Sequence, residues 1–152
     1  MASSELKPEV CNCLALRQAT RLVTQFYDQH LAASGLRGTQ YSILARLDRL
    51  GPMTINALAA ELVMDRTTLG RNILPLERDG LIRIEPNSAD ARSRDLALTA
   101  KGVNRLRAAR AGWVEAQKGF DAAFGARNAA ELRSLLKSVV TSELGATPLT
   151  DE

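Results

Sequence analysis

The chain has few aromatic residues, few cysteines and no long apolar run. Aromatic side chains make up 4% of its 152 residues, so Leu, Ile, Val and Ala on helices must build most of the interior. Two cysteines, Cys11 and Cys13, and one histidine, His30, are too few for a disulfide scaffold or a stable zinc site. No stretch approaches the roughly 18 apolar residues of a membrane span, and the first ten residues lack a signal peptide's apolar core. We therefore expect an α-rich cytoplasmic protein without metal, cofactor or membrane contact.

The charge of the chain is distributed unevenly. Its formal net charge is only +3, and its 45% hydrophobic content suits one compact domain better than two. Residues 66–110, however, contain ten Lys or Arg against five acidic residues. A basic segment of this kind in a mildly basic chain indicates a local surface for nucleic acid.

Residues 54–79 carry the pattern of two short helices joined by a tight turn. Thr54 is a suitable N-cap for a helix over 55–62, and Asp65 for a second helix over 66–79, which Gly80 ends. Helical spacing turns the apolar residues of the second helix inward and its hydroxyl and guanidinium groups outward. The inward residues are Leu69, Ile73 and Leu76, and the outward ones are Thr67, Arg71 and Arg78, with Thr68 and Pro75 at the edge. Hydroxyls and guanidiniums suit phosphates and base edges.

Pro75 is unusual inside this second helix, because a mid-helix proline removes a backbone hydrogen bond and typically costs about 3 kcal/mol or bends the helix. Two interpretations remain open. Either the second half of the helix only packs, or a kink after Asn72 sets how the first half enters a DNA groove.

A charged hairpin follows the second helix. Residues 81–85 and 95–99 alternate partly between apolar and polar side chains, as half-buried strands do, and residues 86–94 between them are too polar to bury. The loop is longer than a simple hairpin requires, and such loops usually carry function. Helix, turn, helix and basic hairpin in this order are typical of a winged helix-turn-helix that reads DNA.

Helices are also predicted on both sides of this unit. We expect one from Pro8 to about Ala33, one over 40–50 capped by Thr39, one over 100–124, and one over 129–144 with Asn128 and Glu131 as its capping pair. The first and the last two carry more apolar residues than a small DNA reader needs, which indicates dimerisation. The predicted fold is mainly α with a β-hairpin wing. It comprises an N-terminal dimerisation helix (1–36), a winged helix-turn-helix (37–100) and C-terminal dimerisation helices (101–152) in one compact domain.

The wing carries a family signature. Asp90-Ala-Arg92-Ser-Arg94, followed by Leu98-Thr99 and Gly102, resembles the D-x-R and LT-x-x-G pattern of the MarR family of bacterial transcription regulators, and the residues entering and leaving the second helix are similar to it as well. The resemblance implies a homodimer on a pseudo-palindromic operator in double-stranded DNA. It also implies roles for individual residues: Thr67, Thr68, Arg71 and Asn72 in the major groove, Arg92 and Arg94 in the minor groove, and Asp90 as the residue that orients Arg92.

The sequence suggests two hypotheses for the signal to which the protein responds. Cys13 precedes Tyr27 by fourteen residues, a spacing similar to the organic-hydroperoxide-sensing branch of the family, but Gly38 stands where that branch has a second tyrosine, and Tyr41 comes three residues late. Cys11 and Cys13 would otherwise be packing residues at a dimer interface. The other hypothesis is a small phenolic or other organic effector, bound where the dimer helices meet the reader. Its candidate lining residues are Phe26, Tyr27, His30, Tyr41 and Trp113.

The sequence therefore favours a DNA-binding regulator. We expect it to be a repressor that a small effector releases from DNA. A thiol-based peroxide sensor using Cys13 is the alternative within the same fold. A protein-interaction module without DNA would leave the basic wing unexplained. An enzyme is not expected, because the chain has no phosphate loop, no G-x-S-x-G motif and no metal-ligand cluster.

Overall fold

A computed structural model describes residues 7–145 of the chain. Within that range the chain forms six α-helices and one three-stranded antiparallel sheet, which confirms the predicted mainly helical fold with a small β wing. The elements in chain order are α1 (Asn12–Leu31), α2 (Gly38–Leu50), β1 (Met53–Thr54), α3 (Ile55–Leu62), α4 (Arg66–Arg78), β2 (Ile82–Pro86), β3 (Arg94–Leu98), α5 (Ala100–Phe124) and α6 (Ala126–Val140). Of the predicted flanking segments, residues 1–6 and 146–152 lie outside the described range. None of the described helices is long and apolar enough to cross a membrane.

The first helix is shorter than the sequence predicted. Pro8–Val10 is a separate 3₁₀ turn, and α1 begins only after Cys11, whose Sγ accepts a hydrogen bond from the Leu14 amide at 3.4 Å. At the other end, Ala32–Ser34 tightens into a second 3₁₀ turn, and Gly35 closes it at φ 75°. One unbroken helix was predicted because the sequence between Pro8 and Gly35 contains no strong breaker. The prediction was wrong because local hydrogen bonds, rather than breakers, set the two ends of α1.

Two predicted caps are also wrong. Helix α2 begins at Gly38, so Thr39 lies inside it, and Gln40 accepts a hydrogen bond from the Arg37 amide at 3.0 Å. Helix α6 likewise begins three residues earlier than predicted, with Gly125 at its N-cap. Asn128 donates its side-chain amide to the Phe124 carbonyl at 2.9 Å instead of capping the helix. The helix also ends at Val140 rather than at residue 144.

The sheet has one more strand than the predicted hairpin. β3 lies in the middle, and pairs with β2 (Ile82 opposite Leu98) and with the two-residue strand β1 (Met53 opposite Leu96). Both wing strands are shifted by one residue from their predicted bounds. Thr99, predicted as the last strand residue, instead caps α5, where its hydroxyl oxygen accepts from the Gly102 amide at 3.0 Å.

The core lies within the helix-turn-helix unit and the adjoining sheet. The buried apolar side chains come mainly from α2, α3, α4, β2 and β3, and the end of α1 and the middle of α5 complete the cluster. Its largest fully buried members are Leu31, Ile43, Leu44, Leu58, Leu69, Leu76, Leu81 and Ile82. In contrast, large apolar side chains of α1 and α6 and Phe124 of α5 are exposed on the single chain.

Helix α5 joins the wing to the flanking helices through very close backbone contacts. A Cβ atom added at Gly102 would lie 2.0 Å from the Leu81 carbonyl oxygen, and one added at Gly112 would lie 2.2 Å from the His30 carbonyl oxygen. Both distances are far inside van der Waals contact, so glycine is required at both positions. Helix α5 therefore packs directly against the start of the wing and the end of α1.

Candidate nucleic-acid interface

The two helices of the helix-turn-helix, α3 and α4, are capped as the sequence predicted. The Thr54 side-chain oxygen accepts from the Ala57 amide at 3.1 Å at the start of α3, and Asp65 Oδ1 accepts from the Thr68 amide at 2.8 Å at the start of α4. Between them Val63 adopts a left-handed conformation with φ 53°. This conformation is unusual for a β-branched residue, and it produces the sharp turn that sets α4 across α3.

Helix α4 has the two faces that its periodicity predicted. Leu69, Ile73 and Leu76 are buried, whereas Thr67 and Arg71 are exposed. The helix remains continuous through Pro75 as far as Arg78, with Asp79 at its C-cap rather than inside it. Sequence analysis did not single out Leu74, which is 65% exposed on this helix.

Two of the four residues proposed for the major groove are already hydrogen-bonded within α4. The Thr68 hydroxyl donates to Asp65 Oδ2, and the Asn72 amide nitrogen donates to the Thr68 carbonyl at 2.9 Å. The hydrogen bonds from the Thr68 side chain and amide lower the pKa of the Asp65 carboxyl, which keeps the cap ionised. Thr68 therefore presents an acceptor oxygen, Asn72 presents its oxygen and its second N–H, and Arg71 presents only donors. Their contacts with bases stay predictions.

The tip of the wing is organised by Asn87, a residue that sequence analysis missed. Its side-chain oxygen accepts from the amides of Ala89 and Asp90 at 2.8 and 2.9 Å, and its side-chain nitrogen donates to both carboxylate oxygens of Asp95. Asn side chains often close turns in this way. Its position at the end of β2, just before a polar loop, was the signal available in the sequence.

Asp90 acts on Arg92 through the backbone. Asp90 Oδ1 accepts a hydrogen bond from the Arg92 amide at 3.0 Å, which fixes the turn from which the Arg92 side chain leaves. Arg92 and Arg94 are both exposed, and neither forms an ion pair with any residue between 7 and 145. The wing therefore carries two exposed guanidiniums whose donors are available for phosphate or base oxygens.

Two other arginines near the wing have partners in the protein. Arg83 Nε lies 2.8 Å from Glu85 Oε2, and its Nη1 donates to the Leu98 carbonyl at 2.8 Å. Arg78 pairs with Asp79, with Nε 3.4 Å from Oδ1. Asp79 is the C-cap of α4 and directly follows Arg78, so this pair forms where the helix ends.

Three of the five aromatic candidates for an effector site meet in one cleft. Tyr27, Tyr41 and Trp113 line a cavity of about 390 Å³ between α1, α2 and α5. The rings of Tyr41 and Trp113 stack at 6.0 Å with an interplanar angle of 15°. Phe26 and His30 do not line this cavity. The His30 ring lies against Phe26, with centroids 4.4 Å apart, and its Nδ1 is 2.8 Å from the Phe26 carbonyl oxygen.

The two tyrosines of this cleft have protonated hydroxyls at neutral pH. Burial, with a contribution from Asp121, raises the pKa of Tyr27, whose hydroxyl donates to Gln117 Oε1. Burial also raises the pKa of Tyr41, and the nearby Arg110 guanidinium opposes that shift. The cleft can therefore offer aromatic faces and neutral phenol groups to a ligand.

Both cysteines are free and exposed on the single chain. Cys11 caps α1 rather than packing in the core, and Cys13 lies in the first turn of the same helix. Tyr27 is fourteen residues further along that helix, about 21 Å away at 1.5 Å per residue. Cys13 and Tyr27 of one chain therefore cannot touch.

Comparisons with known proteins agree with this geometry. Residues 36–93 match the profile of the MarR family. The chain is 36% identical to the M. tuberculosis transcriptional regulator MosR, solved in complex with DNA, with a TM-score of 0.71, 85% of this chain covered and 98% of that one. It is 30% identical over 105 residues, 66% of its length, to the transcriptional activatory protein BadR of Rhodopseudomonas palustris, and the match spans 60% of BadR. E. coli MarR shares the fold at 19% identity and a TM-score of 0.66, with 86% and 96% of the two chains covered.

Proposed function

Because the chain belongs to the MarR family of transcription regulators, we propose that it binds a pseudo-palindromic operator as a homodimer and represses transcription until a small organic effector releases it. The observation that carries the DNA-binding part is the pair of exposed guanidiniums on the wing, Arg92 and Arg94, which form no ion pair within residues 7–145. Thr67, Thr68, Arg71 and Asn72 would meet base edges in the major groove, and Arg92 and Arg94 the minor groove.

The test of DNA binding uses fragments selected from the source genome by the purified protein. Affinity for a selected duplex should fall steeply between low and moderate salt, because arginine–phosphate contacts release counterions. Binding that ignores salt, or no binding to any duplex, would contradict the proposal and favour a protein-interaction module. A reporter gene behind a selected fragment then distinguishes repression from activation, the direction named for BadR.

Dimerisation is supported by apolar surface that one chain leaves uncovered. Exposed Leu14, Leu16 and Leu22 on α1 and Leu135 and Val139 on α6 are large apolar side chains on the flanking helices. Burying such a surface against a second copy is the usual solution. Analytical ultracentrifugation should find a dimer that Leu135→Glu dissociates. Leu50→Glu, an equally drastic change at an exposed position of α2, should leave the dimer intact.

The effector is proposed to bind the cleft of Tyr27, Tyr41 and Trp113. This cleft lies where α1, α2 and α5 meet, so a ligand there contacts both the reader and a flanking helix. A ligand releases DNA only if it binds the DNA-incompetent arrangement more tightly. A phenol that releases DNA from the wild type should fail with Ser42→Trp, which fills the cleft from α2, and act normally on Ser42→Ala. Unchanged release by Ser42→Trp would place the effector elsewhere.

A peroxide-sensing thiol is the second candidate, supported by the exposure of Cys13 on the first turn of α1. Its oxidation would have to act through a second copy of the chain, because Tyr27 of the same helix is out of reach. Peroxide should then release DNA from the wild type but not from Cys13→Ser. Equal release from both, or from neither, would exclude Cys13 as the sensor.

A further inference from the structure

A second groove contains arginines that belong neither to the residues proposed to contact DNA nor to the lining of the aromatic cleft. It lies between α2 and α5 and has a volume of about 480 Å³, compared with about 390 Å³ for the aromatic cleft. Its cationic lining comes from both helices. Arg49 belongs to α2, and Arg107 and Arg110 lie three residues apart on α5.

Arginines outnumber acidic residues in the lining of this groove by three to one. None of Arg49, Arg107 and Arg110 has a carboxylate within 4.0 Å among residues 7–145, and Asp48 is the one acidic residue in the lining. Arg107 and Arg110 are neighbours on the same face of α5, where like charges repel. An anion between α2 and α5 would relieve this repulsion and accept charge-assisted hydrogen bonds from more than one guanidinium.

The rest of the lining is apolar and aromatic. Ala45, Val103 and Leu106 form an apolar wall, and Tyr41 borders both this groove and the aromatic cleft. A fully hydrated inorganic ion would leave this wall unused, whereas an anion with an apolar body would cover it.

We propose that this groove binds a small organic anion, with its carboxylate or phosphate on Arg49, Arg107 and Arg110 and its apolar body on Val103 and Leu106. Because the ligand would join α2 to α5, it would act at a place separate from the aromatic cleft but connected to it through Tyr41. The inference does not depend on DNA binding, and its test uses the full-length protein without DNA.

Isothermal titration with hexanoate, hexyl phosphate and hexanol tests the site. At least one of the two anions should bind saturably with one site per chain, and hexanol should bind about tenfold more weakly or not at all, because it lacks the charge. Which anion binds tighter distinguishes a carboxylate ligand from a phosphate ester. Equal binding of hexanol, or no saturable binding of either anion, would overturn the proposal.

Substitutions of the groove arginines test whether the anion binds in this groove. Arg107→Gln and Arg110→Gln should each weaken anion binding about tenfold. Two controls should bind like the wild type: Arg78→Gln, which removes an exposed arginine elsewhere, and Ser42→Ala, which alters the aromatic cleft alone. Circular dichroism and the melting temperature verify that each variant is folded. If folded Arg107→Gln and Arg110→Gln bind normally, or if Ser42→Ala weakens binding as they do, the groove is not the site.

Discussion

Arg92→Ala provides the sharpest test of the wing. The Arg92 side chain is exposed and has no ion-pair partner among residues 7–145, so its removal should change the free energy of unfolding by no more than about 0.5 kcal/mol. A lost arginine contact in a DNA groove typically costs about 1–3 kcal/mol, and a dimer loses two such contacts. The expected loss of operator affinity is therefore about 30-fold or more. The slope of log affinity against log salt should also become shallower, by about 2.

Arg83→Ala is the matched control in the same wing. Arg83 is bonded to Glu85 and to the Leu98 carbonyl, so its loss should lower stability by about 0.5–1 kcal/mol while operator affinity changes by less than about threefold. Fluorescence anisotropy with a labelled operator and urea denaturation measure the two quantities. If the two variants lose affinity equally, or if Arg92→Ala weakens only the fold, Arg92 does not contact DNA.

Three further predictions concern the supports of the interface. Asp90→Ala should lower operator affinity about fivefold although it removes a negative charge, because the Arg92 amide loses its acceptor. Asp90→Asn keeps an acceptor and should bind at least as well as the wild type in the same anisotropy assay. Gly112→Ala should destabilise the fold by about 1–3 kcal/mol, because its Cβ would collide with the α1 backbone, whereas Gly70→Ala on α4 has open space and should be neutral or stabilising in thermal melts. The folded pKa of Asp65 is lowered, so the contribution of its carboxylate to stability is complete above the ordinary pKa of 3.8 and is lost as pH falls through the folded value. The difference in melting temperature between wild type and Asp65→Asn should therefore shrink on acidification. A difference that grows would contradict this prediction.

The features that could be predicted from the sequence depend on neighbours in the chain. The caps at Thr54 and Asp65 each need an amide three residues away, and the buried face of α4 needs only helical spacing. The end of α4 was placed within one residue because Gly80 favours a positive φ, which it adopts at 71°. The fold class followed from these local signals in their order.

The features that escaped prediction depend on distant partners. Met53 and Thr54 form a strand only because the edge of β3, about forty residues later, is available to pair with them. Asn87 organises the wing through Asp95 on the opposite strand, and its position before a polar loop does not specify that distant partner. The partial agreement on the aromatic cleft has the same origin, since one side of α1 carries Tyr27 to the cleft and another turns His30 toward Phe26.

Helix α5 determines how a ligand could affect the wing. It runs unbroken from Ala100 to Phe124, so the roughly 16 Å between Gly102 and Trp113 are spanned by rigid helix. At Gly102 and Gly112 its backbone contacts the Leu81 and His30 carbonyl oxygens with no side chain between them, which leaves little room for local adjustment. A ligand that wedges against Trp113 must therefore tilt or shift α5 as a body relative to α1. Because the start of α5 follows β3 directly, that movement would reach the wing.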